Sequence, residues 1–459
     1  MRSSLTCTCQ HGRGSCHPAR CSKTKNKKIA ETGIGGNYAM NALSRRSIIA
    51  AAFVFGAAPA LSQPAPTRPV TLELFGLASH NWQLVIDRFQ AQYPNIKIKF
   101  TKFSTDEMKQ ALRVGASSGK LPDLWWNWGG SLASPYNRAG YALKITPEMQ
   151  KEYGITQNVT PASLDITRDG ADLYGIPNKI GPFGFIYKKA LFAKYNIKEP
   201  TTFAELEKAA ETLKANGVTP FSIGGKFSWM TMRFFDFFLE HYAGPAGHDA
   251  LLNTETPWTS DPVVKSFAKL KEWSDKGYFP KGFLNIDPST NLPLLYNDQA
   301  AIVFDTPSLE TSRIIRENMS PADYGTFPLP TDHKPLRAPG SPSQFQVNAK
   351  TPDETRQAAL LFVSFAARPD IAPVTAEAVG YPSATKGILP PENLPIQRKW
   401  AEWTQGEVGF YKLTDQGLPQ DVVASYFEAQ DSVILGAMKP EEAAEQVQEA
   451  ITRFKKRNK

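Results

Sequence analysis

Between residues 70 and 76, apolar Val70, Leu72 and Leu74 alternate with Thr71 and Glu73, the period of a strand with one buried face. Trp82, Val85, Ile86, Phe89 and Tyr93 then recur at helical spacing until Pro94 stops the pattern. Ile96, Ile98 and Phe100 alternate in turn with Lys97 and Lys99. A strand, a helix and a strand in such close succession predict a βαβ unit, because parallel strands need a crossover connection. A further helix is expected near residues 107–117. Leu121-Pro122-Asp123 then leads into an aromatic strand, residues 124–128.

The same alternation of strand and helix continues beyond that point. A strand around Tyr187 precedes Thr202 and Glu205, whose spacing is that of a capping box. Leu206, Ala209, Ala210 and Leu213 then form a buried stripe that Gly217 can terminate. Near the end, Pro440, Glu441 and Glu442 open a helix closed by Lys455 and Lys456, with acids first and bases last as the helix dipole favours. The whole pattern predicts an α/β architecture. At 459 residues the chain exceeds what one core supports, about 250–300 residues, so two lobes are expected.

Composition adds one correction to a naive reading of charge. The formal net charge is +8, but residues 1–62 hold nine lysines and arginines against the single acid Glu31. The rest of the chain carries equal numbers of basic and acidic residues. It therefore lacks the net positive field that would concentrate nucleic acid. All four cysteines (Cys7, Cys9, Cys16 and Cys21) also fall in this leader, so from residue 63 onward no disulfide or cysteine-ligated metal is available. Their nearness to His11 and His17 has the chemistry of a zinc knot, but no apolar segment accompanies them to make a folded module. No metal and no cofactor are expected.

From Met40, a short basic region, an apolar run at 48–58 and small residues ending at Ser62 have the layout of a secretory signal. The run has about half the roughly 20 residues that a membrane span requires. Arg45-Arg46 before it resembles a twin-arginine signal, with ordinary Sec export as the alternative. No cysteine near Ser62 can accept lipid, so the mature product is expected free in the periplasm. The expectation for the start is a non-native extension at 1–39 and a signal peptide at 40–62.

Several short segments, in order, resemble the bacterial extracellular solute-binding proteins, the family that includes maltose-binding protein. They are 119–124 (Gly-Lys-Leu-Pro-Asp-Leu), 173–177 (Leu-Tyr-Gly-Ile-Pro), 185–192, 200–205, 217–221, 296–302 and 440–443. Lys188 stands where the family has Asn, and Thr306-Pro307-Ser308 replaces a frequent Gly-Pro-Trp. The resemblance implies a two-lobe periplasmic-binding-protein-like fold of type II, with a ligand cleft between lobes joined by hinge crossovers. The N-terminal lobe would hold 69–179 and 305–345, and the C-terminal lobe 180–304 and 346–459. It further implies a monomer that captures a small-molecule solute, a sugar above all, and delivers it to an inner-membrane ABC permease.

Sugars present apolar ring faces ringed by hydroxyls, so candidate contacts are aromatics with fixed polar groups beside them. Trp128, at the C-terminal end of its strand, leads the set. Asn127 and Ser131 follow beside it, with loop capping as their competing role. His80, Asn81 and Trp82 occupy the end of the first strand, and Trp82 also fits a buried helical stripe. Lys179 and Phe183 lie at the first proposed crossover, and Asp305 at the second. Trp229, Gln344 and Tyr381 complete the candidates. Binding of a polyamine or glycerophosphodiester is the alternative. A secreted glycoside hydrolase is a more distant one, since such enzymes need only two carboxylates. No Gly-x-Ser-x-Gly, His-Glu-x-x-His or phosphate-loop motif is present.

Overall fold

The computed structural model describes residues 65–380, 382–404 and 408–457. The leader with its cysteines and export signal lies outside the described residues, as does Tyr381.

The opening alternation folds as read. Val70–Leu77 and Ile96–Phe103 pair in parallel, with Val70 opposite Ile96 and Leu77 opposite Phe103. Helix Gln83–Gln92 crosses between them, burying Val85, Ile86 and Phe89. Helix Thr105–Ser118 starts at a Ser104/Glu107 capping box and ends where Gly119 takes a left-handed φ of 69°, a conformation that costs a side-chain-bearing residue energy. Leu124–Trp128 joins the other edge of Val70–Leu77, also in parallel. The Thr202/Glu205 capping box is formed, heading helix Phe203–Ala215.

Two sheets result. The first runs Gly409–Lys412, Arg337–Val347, Leu124–Trp128, Val70–Leu77, Ile96–Phe103, with Ile176–Pro182 also paired to Arg337–Val347. The second runs Tyr324–Phe327, Gly184–Lys188, Ala300–Asp305, Thr219–Ser222. Each has its own core. Leu72, Trp82, Phe89, Trp125, Phe345 and Phe362 belong to the first, and Phe185, Phe221, Phe234, Phe304 and Trp273 to the second. Phe183 is the single residue separating Ile176–Pro182 of one sheet from Gly184–Lys188 of the other.

The chain returns between lobes later than expected. Tyr324–Phe327 pairs antiparallel with Gly184–Lys188, which keeps the segment after Asp305 with the second sheet. The return comes only with Arg337–Val347. The expected assignment of 346–459 to the C-terminal lobe also changes. Helices Asp353–Ala366 and Ala372–Val379 bury Leu361, Phe362, Phe365 and Val379 in the first core. Their apolar faces complement the sheet on which Trp82 and Phe345 already meet. Only from helix Pro395–Thr404, with Ile396 and Trp400, does the chain rejoin the second core. Among the described residues, no helix is long and apolar enough to cross a membrane.

Candidate functional site

Where the two sheets face each other, a cavity of about 1080 Å³ is lined from both lobes. The first lobe contributes His80, Asn81, Lys109, Trp126 and Trp128, and helix Ala372–Val379 adds Glu377 and Val379. The second contributes Trp229, Met232, Arg233 and Asp305, and Lys179 and Phe183 enter from the crossover. The turn carrying Asp415 and Gln416 closes one side.

Strand ends put these groups there. Trp126 and Trp128 meet edge to face, ring centres 4.5 Å apart, although both neighbours of Trp126 point the other way along the strand. The Lys109 ammonium lies 5.2 Å from the Trp128 ring. From the opposite lobe, helix Ser228–Leu252 presents Arg233. Its guanidinium carbon sits 4.4 Å from the Phe183 ring and 5.2 Å from that of Trp229. Arg233 Nη1 also lies 3.2 Å from Asp305 Oδ1 and donates to the Phe304 carbonyl at 3.1 Å. Burial lowers the guanidinium's proton affinity, and the Asp305 carboxylate opposes that.

Lys179 is held differently. Its Nζ lies 3.2 Å from His80 Nε2 and donates to the Val379 carbonyl at 3.1 Å. Burial pushes the lysine down to about 8, with the Asp305 charge pulling the other way. His80 is held well below its ordinary value, by burial first and by Lys179 second. A neutral imidazole facing an ammonium accepts through Nε2, which leaves its proton on Nδ1, an atom with no partner among the described residues. Trp126 Nε1, Trp229 Nε1, Asp415 Oδ1 and Gln416 Oε1 also lack partners among the described residues. Each of these atoms has almost no accessible surface, so they back the cavity wall rather than face its interior.

Five sequence candidates come together on this wall: Trp128, Lys179, Phe183, Trp229 and Asp305. Four others do not. Trp82 has no exposed surface and packs 4.6 Å from Phe345, ring to ring; the core stripe wins over the strand end. Asn127 is buried, donating to Gln346 Oε1 at 2.8 Å and accepting from the Trp128 backbone N–H at 2.9 Å. Gln344 is buried beneath the Gly175 backbone, so close that a side chain at 175 would coincide with it. That contact gives the Tyr174-Gly175 pair a steric reason. Ser131 lies one step away from the cavity: its hydroxyl donates to the Asp415 carbonyl at 2.9 Å and accepts from Gln420. With Gly130, whose φ of 65° brings its backbone against the Gln416 carbonyl, it fixes the turn that delivers Asp415 and Gln416.

Sequence reasoning missed Arg233, Asp415 and Gln416 as wall residues. Arg233 carried a signal, a lone cation within the apolar run 230–239, which must be paired if buried. Asp415 and Gln416 carried none, because their place depends on a contact with Gly130 and Ser131.

A family model described as bacterial extracellular solute-binding protein matches residues 80–373. An uncharacterized ABC transporter extracellular-binding protein of Pyrococcus horikoshii is 27% identical over 305 residues, which span 62% of this chain and 66% of that protein's length. The multiple sugar-binding protein of Streptococcus mutans is 23% identical over 349 residues, 72% of this chain and 78% of that one. A solved structure of a chitin oligosaccharide binding protein gives a TM-score of 0.75 at 22% identity, covering 83% of this chain and 98% of the other. That likeness establishes the two-lobe, type II periplasmic-binding-protein architecture. With the family match running from His80 at the cavity, through strands of both sheets, to the start of helix Ala372–Val379, the chain belongs to the bacterial extracellular solute-binding proteins.

Proposed function

We propose that this protein is the solute-capturing component of an ABC importer, that it works in the periplasm after export, and that its solute is a carbohydrate or a related polyol. The observation that carries the substrate class is the facing of aromatic side chains across one cavity. Trp126 and Trp128 come from the first lobe, Phe183 and Trp229 line the opposite side, and charged and amide groups lie between them. Apolar ring faces suit the aromatics, and hydroxyls, which both donate and accept, suit the lysine, carboxylate and amide side chains that line the same wall. The sugar ligands in the names of the Streptococcus mutans relative and the chitin oligosaccharide binding protein support the same class.

The volume of about 1080 Å³ lies at the upper end of the roughly 300–1,000 Å³ of small-molecule sites, which favours more than one sugar ring. Five basic side chains against three acidic ones on the wall weigh against a polyamine. Closure of the lobes over the solute, with bending at the Phe183 crossover and at Arg337–Val347, would supply the signal read by the permease.

The test is a thermal-shift screen of the purified protein against mono-, di- and oligosaccharides, polyols, polyamines and glycerophosphodiesters, since a ligand of the native state raises Tm. The expected result is a rise with a carbohydrate that shrinks in Trp229→Ala. A response confined to a polyamine or a glycerophosphodiester would remove the substrate class.

A further inference from the structure

Lys179 is a half-buried cation in the cavity wall whose two close partners, His80 Nε2 and the Val379 carbonyl, are both uncharged. Among the described residues, no carboxylate forms an ion pair with it. Asp305 acts on it only from a distance, and Asp305 Oδ1 is already engaged by Arg233 at 3.2 Å and by the Thr306 N–H at 2.7 Å. A buried charge normally has a counter-charge, because desolvating an ion without one is costly. Here the open side of the lysine is the cavity.

We propose that the solute carries a carboxylate, as in a uronate-containing sugar, and that this group seats against the Lys179 ammonium. The inference rests on the carbohydrate reading above and narrows it to acidic members of that class. An ammonium has three N–H donors. Two are directed at His80 and Val379, which leaves one donor and one uncompensated charge, the complement of a single carboxylate oxygen.

The same accounting disfavours a phosphate, which carries nearly two charges and calls for a fork of donors. The guanidinium that could supply a fork, Arg233, spends Nη1 on Asp305 and the Phe304 carbonyl and has aromatic rings against it. The wall as a whole is biased toward an anion. Lys102, Lys109, Lys179, Arg233 and Arg316 line it with only Asp305, Glu377 and Asp415 as acids.

The experiment titrates the purified protein calorimetrically with uronate-containing mono- and disaccharides, each paired with its methyl ester, which keeps the shape and removes the charge. Sugar phosphates form a third arm. The expected result is at least one acid binding ten-fold or more tightly than its ester, with the ratio falling toward one in Lys179→Met. Thermal unfolding of that variant checks its folding. Raising salt should erode the wild-type ratio, as it does for any charge-led contact.

The proposal is overturned if no acid binds, if esters bind as well as acids, if sugar phosphates bind tighter than carboxylates, or if the ratio survives in Lys179→Met. Neutral sugars that bind without any acid preference would overturn this inference and leave the carbohydrate reading intact. Failure of every carbohydrate, with binding of a polyamine or glycerophosphodiester, would remove both. Should Lys179→Met fail to fold, the acid-to-ester ratio of the wild type and its loss with salt still decide the matter.

Discussion

Arg233 and Asp305 form an ion pair in the cavity wall, Nη1 to Oδ1 at 3.2 Å, the guanidinium buried against the Phe183 ring and the carboxylate partly exposed. One residue comes from helix Ser228–Leu252 and the other from the end of strand Ala300–Asp305. The pair therefore ties the helix that carries Trp229 to the strand beside the crossover. Removing the carboxylate leaves the other charge buried without its partner, which costs more than removing both. Asp305→Asn, which strands the buried guanidinium, should lower stability by about 3 kcal/mol, and Arg233→Met/Asp305→Asn by clearly less than that single change. Urea unfolding of the two single variants and the double variant measures this. A double variant as weak as the sum of the singles would mean that the two charges do not interact.

Trp82 and Trp229 should separate stability from binding. Trp82 has no exposed surface and contacts Phe345 and Phe362, so Trp82→Ala should cost roughly 3–5 kcal/mol of stability, as large-to-small core changes do. Trp229 is half-buried at the cavity, parallel to Phe227 at a ring distance of 6.4 Å. Trp229→Ala should weaken solute binding on the order of ten-fold, an aromatic contact's usual worth, with a smaller loss of stability. Paired urea and calorimetric titrations test the contrast, and a Trp82 variant that unfolds like the wild type would return that residue to the site.

How far this was legible depends on range. The period of Val70–Leu77 and the Thr202/Glu205 box act over a few residues, and both appear as read. Trp128 was legible because a strand's C-terminal end faces the crevice in sheets of this type. Trp82 misled because one position satisfied two patterns, a strand end and a helical stripe, and burial decided between them. The interlobe path was read too early because the pairing of Tyr324–Phe327 with Gly184–Lys188 leaves no mark in local spacing. Asp415 and Gln416 depend on a turn held by Gly130 and Ser131, a contact across the whole chain.

Lys179 gives a stability prediction that needs no solute. Burial holds its folded value at about 8, below the ordinary 10.5 of the unfolded chain. Between these values the unfolded state binds more protons, so stability should rise with pH through the window of roughly 8 to 10.5. The charged lysine therefore costs the fold on the order of 3 kcal/mol below pH 8. Lys179→Met should be more stable than the wild type at pH 7, and the gap should close by pH 10.5. Equilibrium unfolding across that range is the measurement, and a variant less stable at pH 7 would mean that the His80 and Val379 contacts outweigh desolvation.

Glu310 couples the cavity wall to pH with the same linkage but a different window. Its carboxylate accepts the backbone N–H groups of Ile396 at 3.0 Å and Gln397 at 2.9 Å, at the start of helix Pro395–Thr404. Thr311, Ser312 and Ile315 beside it, and Leu394 before the helix, line the cavity, so this contact joins two parts of the wall. Burial raises the carboxyl to about 7 although both N–H groups favour the charged form. Since the folded value exceeds the unfolded 4.5, the folded state holds the proton between pH 4.5 and 7. Its contribution is then full below pH 4.5 and is lost as pH rises through 7. Glu310→Gln cannot titrate and keeps only one oxygen acceptor for the two N–H groups, a fixed loss at all pH values. The stability of the wild type relative to Glu310→Gln should therefore fall by up to about 3 kcal/mol from pH 4.5 to pH 7.5. Urea unfolding of both proteins at half-unit pH steps would reveal it; a difference independent of pH would show that Glu310 stays charged throughout and acts simply as the cap of its helix.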